Sequence, residues 1–221
     1  MLDKTLQDEI VKKGRGFLRG VDVSDPIGAA FVSDQELRLP QPPLVKAAAA
    51  APETHIRLPE PESTPLAERD LTELLRSRRS CRSYGDTPLT LQQLSYLLWA
   101  GQGITGIKGE NYATMRTVPS GGARHPFETY LLCRNVAGLE PGASHSLPME
   151  HALEYLGAVE AMSETISAAL LEQKWAARAG VVFFWSVVPY RAEWRYGIRA
   201  HRTILMDVGH VGQNHYLAAT A

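Results

Sequence analysis

Two kinds of periodicity predict a mixed helix-and-strand domain carried behind an extended arm. Helix-spaced leucines recur behind capping residues in the middle of the 221-residue chain. The runs Phe127 to Cys133 and Val181 to Val188 have the length and composition of strands. Ahead of these, Pro40 to Pro65 is dominated by proline and alanine, a composition that extends rather than packs.

Residues 1–39 mix charge with scattered apolar residues and show no sustained period, so residues 1–62 read as an arm and linker, and 63–221 as the compact domain. Asp70-Leu71-Thr72-Glu73 resembles a capping box opening a helix to about Ser77, with Leu71, Leu74 and Leu75 on one face. Thr90-Leu91-Gln92-Gln93 opens a second helix, striped by Leu91, Leu94 and Leu98, with Gly101 as its stop. Gly138 to Gly142 reads as a turn, and Glu160 to Arg178 has helical composition. Val181 to Val188 is continuously apolar, which predicts a strand buried on both faces. A last helix is expected from Ile204 to Ala221. Its Gly209 and Gly212 each cost roughly 1 kcal/mol against alanine, a loss that a tight contact with another helix, here or in a second subunit, would offset.

Composition excludes several classes of function. With 23 Lys and Arg against 24 Asp and Glu, the net charge of −1 gives no overall attraction to nucleic acid or anionic membrane. The first nine residues are too charged for a signal peptide, and no run approaches the roughly 18 apolar residues of a membrane span. Cys81 and Cys133 make no disulfide framework, so cytoplasm is the expected location.

Arg76 to Tyr84 holds Arg78, Arg79, Ser80 and Arg82, three forked guanidinium groups and a hydroxyl suited to a multiply charged phosphate. A solvated basic helix end is an equal reading of the same residues. In Thr117 to Pro126, the small residues permit close approach of backbone to a planar or phosphorylated ligand, although a plain tight turn has the same composition. Ser120 lacks the frame of a nucleophile elbow. Gly101 to Gly106 matches G-x-G-x-x-G, but a helix precedes it where a dinucleotide fold needs a strand. Asp207, His210 and His215 lack metal-ligand spacing, which leaves ordinary surface or interface side chains and no expected metal. Tyr190 to Gly197 reads as a ligand lid or an irregular surface helix, the latter preferred.

In order, Arg78 to Tyr84, Leu98 to Gly103, Pro119 to Glu128, Arg195 to Arg199 and Asp207 to Asn214 resemble the nitroreductase superfamily, in its SagB-type dehydrogenase branch. The arm, with Gly14 to Leu18 and Pro40 to Lys46, is similar to stand-alone members. The resemblance implies an α+β fold, a central mostly antiparallel sheet flanked by helices, in a homodimer that holds FMN at the subunit interface. Arg78, Arg79, Ser80 and Arg82 would then bind the FMN phosphate, ribityl chain or ring edge. Pro119, Ser120, Gly121, Gly122 and Ala123 would lie against the flavin, commonly that of the other subunit. The implied chemistry moves two electrons as hydride through flavin N5, from NADH or NADPH to a small-molecule acceptor, with Tyr196 as a proton donor. Neither nucleic acid nor membrane is an implied partner.

Relatives usually continue past the last helix into a glycine-rich strand and tail that complete the flavin site, so the domain is expected to be incomplete at Ala221. Gly142 to Ser146 carries serines where relatives often have aromatics. Azole-forming members often have lysine then tyrosine where this chain has Arg195-Tyr196, and arginine stays protonated, which makes it a poor general base. The alternative these departures motivate is an inactive scaffold or assembly subunit that keeps the fold.

Overall fold

The computed structural model describes residues 3–19, 30–61 and 69–221; the expected domain boundary at residue 63 lies outside them. Along the chain run α1 (Lys4–Arg19), β1 (Ile56–Arg57), α2 (Leu71–Ser77), α3 (Leu91–Gln102), β2 (Ile104–Lys108), β3 (Ala113–Arg116), β4 (Phe127–Cys133), β5 (Gly142–Leu147), β6 (Ala152–Gly157), α4 (Met162–Ala169), β7 (Val181–Val187), α5 (Tyr190–Tyr196) and α6 (Ala200–Ala218). Five strands form one sheet in the order β1-β6-β5-β4-β7, and every pairing in it is antiparallel. β2 and β3 make a separate hairpin. The fold is α+β, as the resemblance implied.

Helix starts follow their caps. Asp70 accepts from the amides of Thr72 and Glu73 at the head of α2, while the Glu73 side chain turns to Arg69 instead of closing the box. At α3 the box is complete, with Thr90 and Gln93 each bonding the other's amide. Gly101 does not end that helix. It lies buried inside α3, where any Cβ would run into the imidazole of His215, and Gly103 is the cap. The glycine thus permits a close crossing of α3 and α6 rather than a stop.

β4 divides the core. Leu131 and Cys133 face α3, packing on Leu94 and Leu98. Leu132 belongs to the opposite face, with Val182 and Ile166 of α4. His215 of α6 sits edge-on to Phe183 and Trp185 of β7. Among the described residues β7 pairs only with β4, at the edge of the sheet, and it is half-buried; the expectation of burial on both faces fails there. Glu160 to Arg178 is not one helix. Backbone in the left-handed region at Leu171 and Glu172 ends α4 and leads to a short 3₁₀ turn at Ala176–Arg178.

The arm is extended, yet it is laid against the domain. Prolines and alanines offer no polar side chains, so its free amides need acceptors from the sheet. Glu128 on β4 takes the amide of Lys46, and Glu154 on β6 takes those of Ala49 and Ala50, each of the latter at 2.6 Å. His145 on β5 bridges the two buried carboxylates, at 2.9 Å from Glu128 and 3.4 Å from Glu154. Arg191 completes the cluster through an ion pair to Glu128 at 2.5 Å. Burial opposes ionisation of Glu128, but His145 and Arg191 more than offset it and hold the carboxyl at about 2.

Candidate active site

α6 organises the site. Its buried stripe is Ala200, Ile204, Asp207 and Val211, at the 4-3-4 spacing of one helical face, so a carboxylate occupies a core position. Asp207 finds its partners in the glycine loop: Ser120 Oγ donates to it at 2.6 Å and the Gly121 amide at 3.2 Å. Burial raises the Asp207 carboxyl against the opposing pull of those two donors. Ser120 Oγ also accepts the His125 amide, which leaves the hydroxyl engaged as a structural tie and not as a nucleophile.

The glycines of the loop meet the protein as well as solvent. A Cβ at Gly121 would strike the Thr203 side chain of α6. Gly122 has φ +59°, and a Cβ there would lie 2.5 Å from Arg195 Cδ and 2.7 Å from the Tyr196 hydroxyl. Close backbone approach, expected toward a ligand, is therefore used at these two positions to seat the loop on α5 and α6. Pro119, Ser120, Gly121, Gly122 and Ala123 thus come together with Tyr196 in one corner of the molecule.

Two cations sit in that corner. Arg124 is 3% exposed, donates to the carbonyls of Gly122 and Tyr112, and lies over the rings of Tyr112 and Trp194. Arg195 donates to the Tyr112 hydroxyl at 2.7 Å and to Gln35 at 3.2 Å, and lies over the Tyr196 ring. Neither arginine has a carboxylate within 4.0 Å among the described residues. Burial lowers the Arg124 guanidinium, with Arg195 adding like-charge repulsion; burial opposes the charge of Arg195 too, but its bonds to Tyr196 and Tyr112 outweigh that and raise it. The result is a positive field beside the loop, with neutral groups as the direct partners of both arginines among the described residues.

Tyr190–Tyr196 is not a surface helix: Arg191, Ala192 and Trp194 are buried, and the arm crosses α5 through bonds from Trp194 to Leu39 and from Arg191 to Pro43. Sequence reasoning missed Gln35 and Tyr112 altogether, and lone polar residues in loops carry no periodic signal. Asp207, which with its neighbouring histidines lacks metal-ligand spacing, is marked instead by its place in the apolar stripe of α6. His215 is likewise no surface side chain; burial in the α3–α6 crossing lowers it to about 4.

The arginine segment lies elsewhere. Arg78, Arg79, Ser80 and Arg82 follow α2, all but half-buried Arg78 exposed, near the far end of α6. Arg78 lies over the Tyr216 ring and Arg82 over Trp175, which also stacks on Tyr84. Arg79 bonds the carbonyls of Arg76 and Arg78. From Asp207 to Tyr216 the helix rises about 13 Å. One chain therefore keeps the two groups apart, and the structure does not bring the arginines to the glycine loop.

The nitroreductase family profile matches residues 75–221. A Methanocaldococcus jannaschii protein named as a nitroreductase is 37% identical over 166 residues, which are 75% of this chain and 78% of that protein. The trifolitoxin-processing protein TfxB of Rhizobium leguminosarum is 33% identical over 111 residues, 47% of this chain and 29% of its own length. The crystal structure of an Anabaena variabilis protein named as a nitroreductase shares the fold with a TM-score of 0.56 and 29% identity, over 68% of this chain and 30% of that one. The chain thus spans less than a third of the Rhizobium and Anabaena proteins. No helix among the described residues is long and apolar enough to cross a membrane. Profile, relatives and antiparallel core agree, and the chain belongs to the nitroreductase family of oxidoreductases.

Proposed function

We propose that this protein is an FMN-dependent oxidoreductase, a homodimer that moves two electrons from NADH or NADPH to a small-molecule acceptor in the cytoplasm. The observation that carries this reading is the pair of positively charged clusters near the two ends of α6, neither paired with a carboxylate among the described residues. Arg78, Arg79 and Arg82 have no carboxylate within 4.0 Å among the described residues, which suits a phosphate dianion. Arg124, fixed by neutral partners beside the glycine loop, suits charge that develops on a ring system held there. FMN, when bound, supplies hydride chemistry at its N5 position. The chain's own contribution is position and electrostatics: Asp207 fixes the loop, Tyr112 and Gln35 fix Arg195, and the Tyr196 hydroxyl is a proton donor against Gly122. A site divided between two ends of one helix is completed by a second copy.

An anaerobic titration tests it. The protein should carry a yellow chromophore, and NADH or NADPH should bleach it. Exchange of Arg79 and Arg82 for glutamate should weaken FMN by at least about tenfold and spare riboflavin, which lacks the phosphate. Equal losses for the two flavins would remove the arginines from the phosphate site.

A second reading, an inactive scaffold or assembly subunit, is favoured by Arg195, which cannot act as a base where related azole-forming enzymes carry lysine. Similarity to a toxin-processing protein accords with it. A flavin that binds but resists both reductants and turns over no acceptor would select this reading.

A further inference from the structure

A cleft of about 250 Å³ opens beside Tyr196, lined by Arg195, Tyr196 and Arg199 on one side and by Phe31, Ser33, Gln35 and Glu36 of the arm on the other. The geometry points to this cleft as the acceptor subsite, selective for small planar aromatic acceptors that carry one carboxylate. This rests on the oxidoreductase reading and adds a substrate class to it.

Four observations lead there. The cleft shares a wall with the glycine loop, since Arg195 and Tyr196 are the groups that a Cβ on Gly122 would strike. Its size is below the ~300–1,000 Å³ of typical drug-sized sites, which limits an occupant to one or two rings. Phe31 is seated directly against Gly197, where a Cβ would collide with its ring, so the Phe31 and Tyr196 rings both offer apolar surface to a flat molecule. Arg195 holds its place through Tyr112 and Gln35, both neutral, so its charge is not spent on a protein anion.

Glu36 limits the anion. It accepts both the amide and the hydroxyl of Ser33, at 2.7 and 2.8 Å, and those bonds, with a smaller pull from Arg199, lower its carboxyl, so it stays ionised on the cleft wall. A dianionic phosphate there would meet that charge at short range, whereas a single carboxylate can turn both oxygens to the arginine side. The arm thereby acts as a specificity wall, with Ser33 and Glu36 setting how much negative charge enters.

The test uses the FMN-loaded full-length protein and two readouts. Benzoate binding is measured by calorimetry, without turnover, and kcat/KM is compared for 4-nitrobenzoate and nitrobenzene. Arg195→Gln should weaken benzoate by about tenfold or more and lower the ratio of the two kcat/KM values by a similar factor. Glu36→Gln should move both readouts the other way, by about threefold, an outcome that damage to the fold cannot imitate. Benzoate binding that is absent, or indifferent to both exchanges, would overturn the assignment even where nitrobenzene turnover upholds the oxidoreductase reading. A variant at Arg195 that sheds FMN but keeps the acceptor ratio would also overturn it and give Arg195 to the flavin. Benzoate bound in the expected order, without turnover of either acceptor, would leave the anion cleft standing and sink the oxidoreductase reading.

Discussion

Asp207→Ala should uncouple the glycine loop from α6. The carboxylate accepts two bonds, from Ser120 Oγ at 2.6 Å and from the Gly121 amide at 3.2 Å. Hydrogen bonds to a charged group contribute about 1.5–3 kcal/mol each, so the gross loss is about 3–6 kcal/mol. Part of that is returned, because burial already raises the Asp207 carboxyl and the fold carries the cost of an ionised group in its core. A net destabilisation of about 2–3 kcal/mol follows, or about 5–10 °C in Tm for a chain of this size. Asp207→Asn keeps the shape and one acceptor, and should lose about 1 kcal/mol. Urea unfolding followed by tryptophan fluorescence measures both, and FMN titration of the folded variants should show weaker binding for alanine than for asparagine. If alanine lowers stability by less than about 0.5 kcal/mol and leaves FMN affinity intact, Asp207 does not hold the loop.

Acid should loosen the protein in two stages. Burial lowers His125 to about 3 and His215 to about 4, so unfolded chains take up protons that the fold refuses, and stability falls from pH 6.5 downward. Glu128 is depressed from 4.5 to about 2, a difference worth about 3 kcal/mol that is present above pH 4.5 and disappears as pH approaches 2. Hydrogen exchange at Lys46, Ala49 and Ala50 should accelerate in that second stage relative to α3; equal acceleration would deny the carboxylates their role in holding the arm. Gly101→Ala improves helix propensity by about 1 kcal/mol yet should destabilise by a net 1–3 kcal/mol, because the methyl meets His215 between α3 and α6; a more stable variant in thermal melts would refute the close crossing.

Local rules read well from this sequence, and contacts between distant segments did not. The caps at Asp70 and Thr90 are visible because a cap and its partner are three residues apart. β4 is visible as an apolar run that starts after a proline. Gly101 was misread for the opposite reason: its requirement comes from His215, more than a hundred residues away. The same holds for the edge position of β7, since an apolar run says nothing about which strands lie beside it. The arm looked like a linker because proline and alanine do not report that Glu128 and Glu154 will accept their amides. At the candidate site, residues joined by order along the chain were legible. Gln35 and Tyr112, which tie the arm and the turn between β2 and β3 to Arg195, were not.

The placement of charge explains why the site should need a second copy. Leu205, Met206 and Tyr216 are 59%, 60% and 52% exposed on α6, and Gly209 and Gly212 have nothing near a would-be Cβ. This surface runs between the glycine loop at one end of the helix and the arginines at the other. A monomer would leave much of it exposed and would keep its two positive centres at opposite ends of the helix. On the proposed homodimer reading, a two-fold contact along this face buries the apolar groups and uses the glycines for close approach. The same operation carries each copy's arginines toward its partner's loop. Folding alone supplies no anion for Arg78, Arg79, Arg82, Arg124 or Arg195 among the described residues, and unneutralised cations at both ends of one helix repel. A bound flavin phosphate, a reduced ring and an acidic acceptor are the groups whose charge would balance them, which ties the proposed association, cofactor and substrate class to a single electrostatic cause.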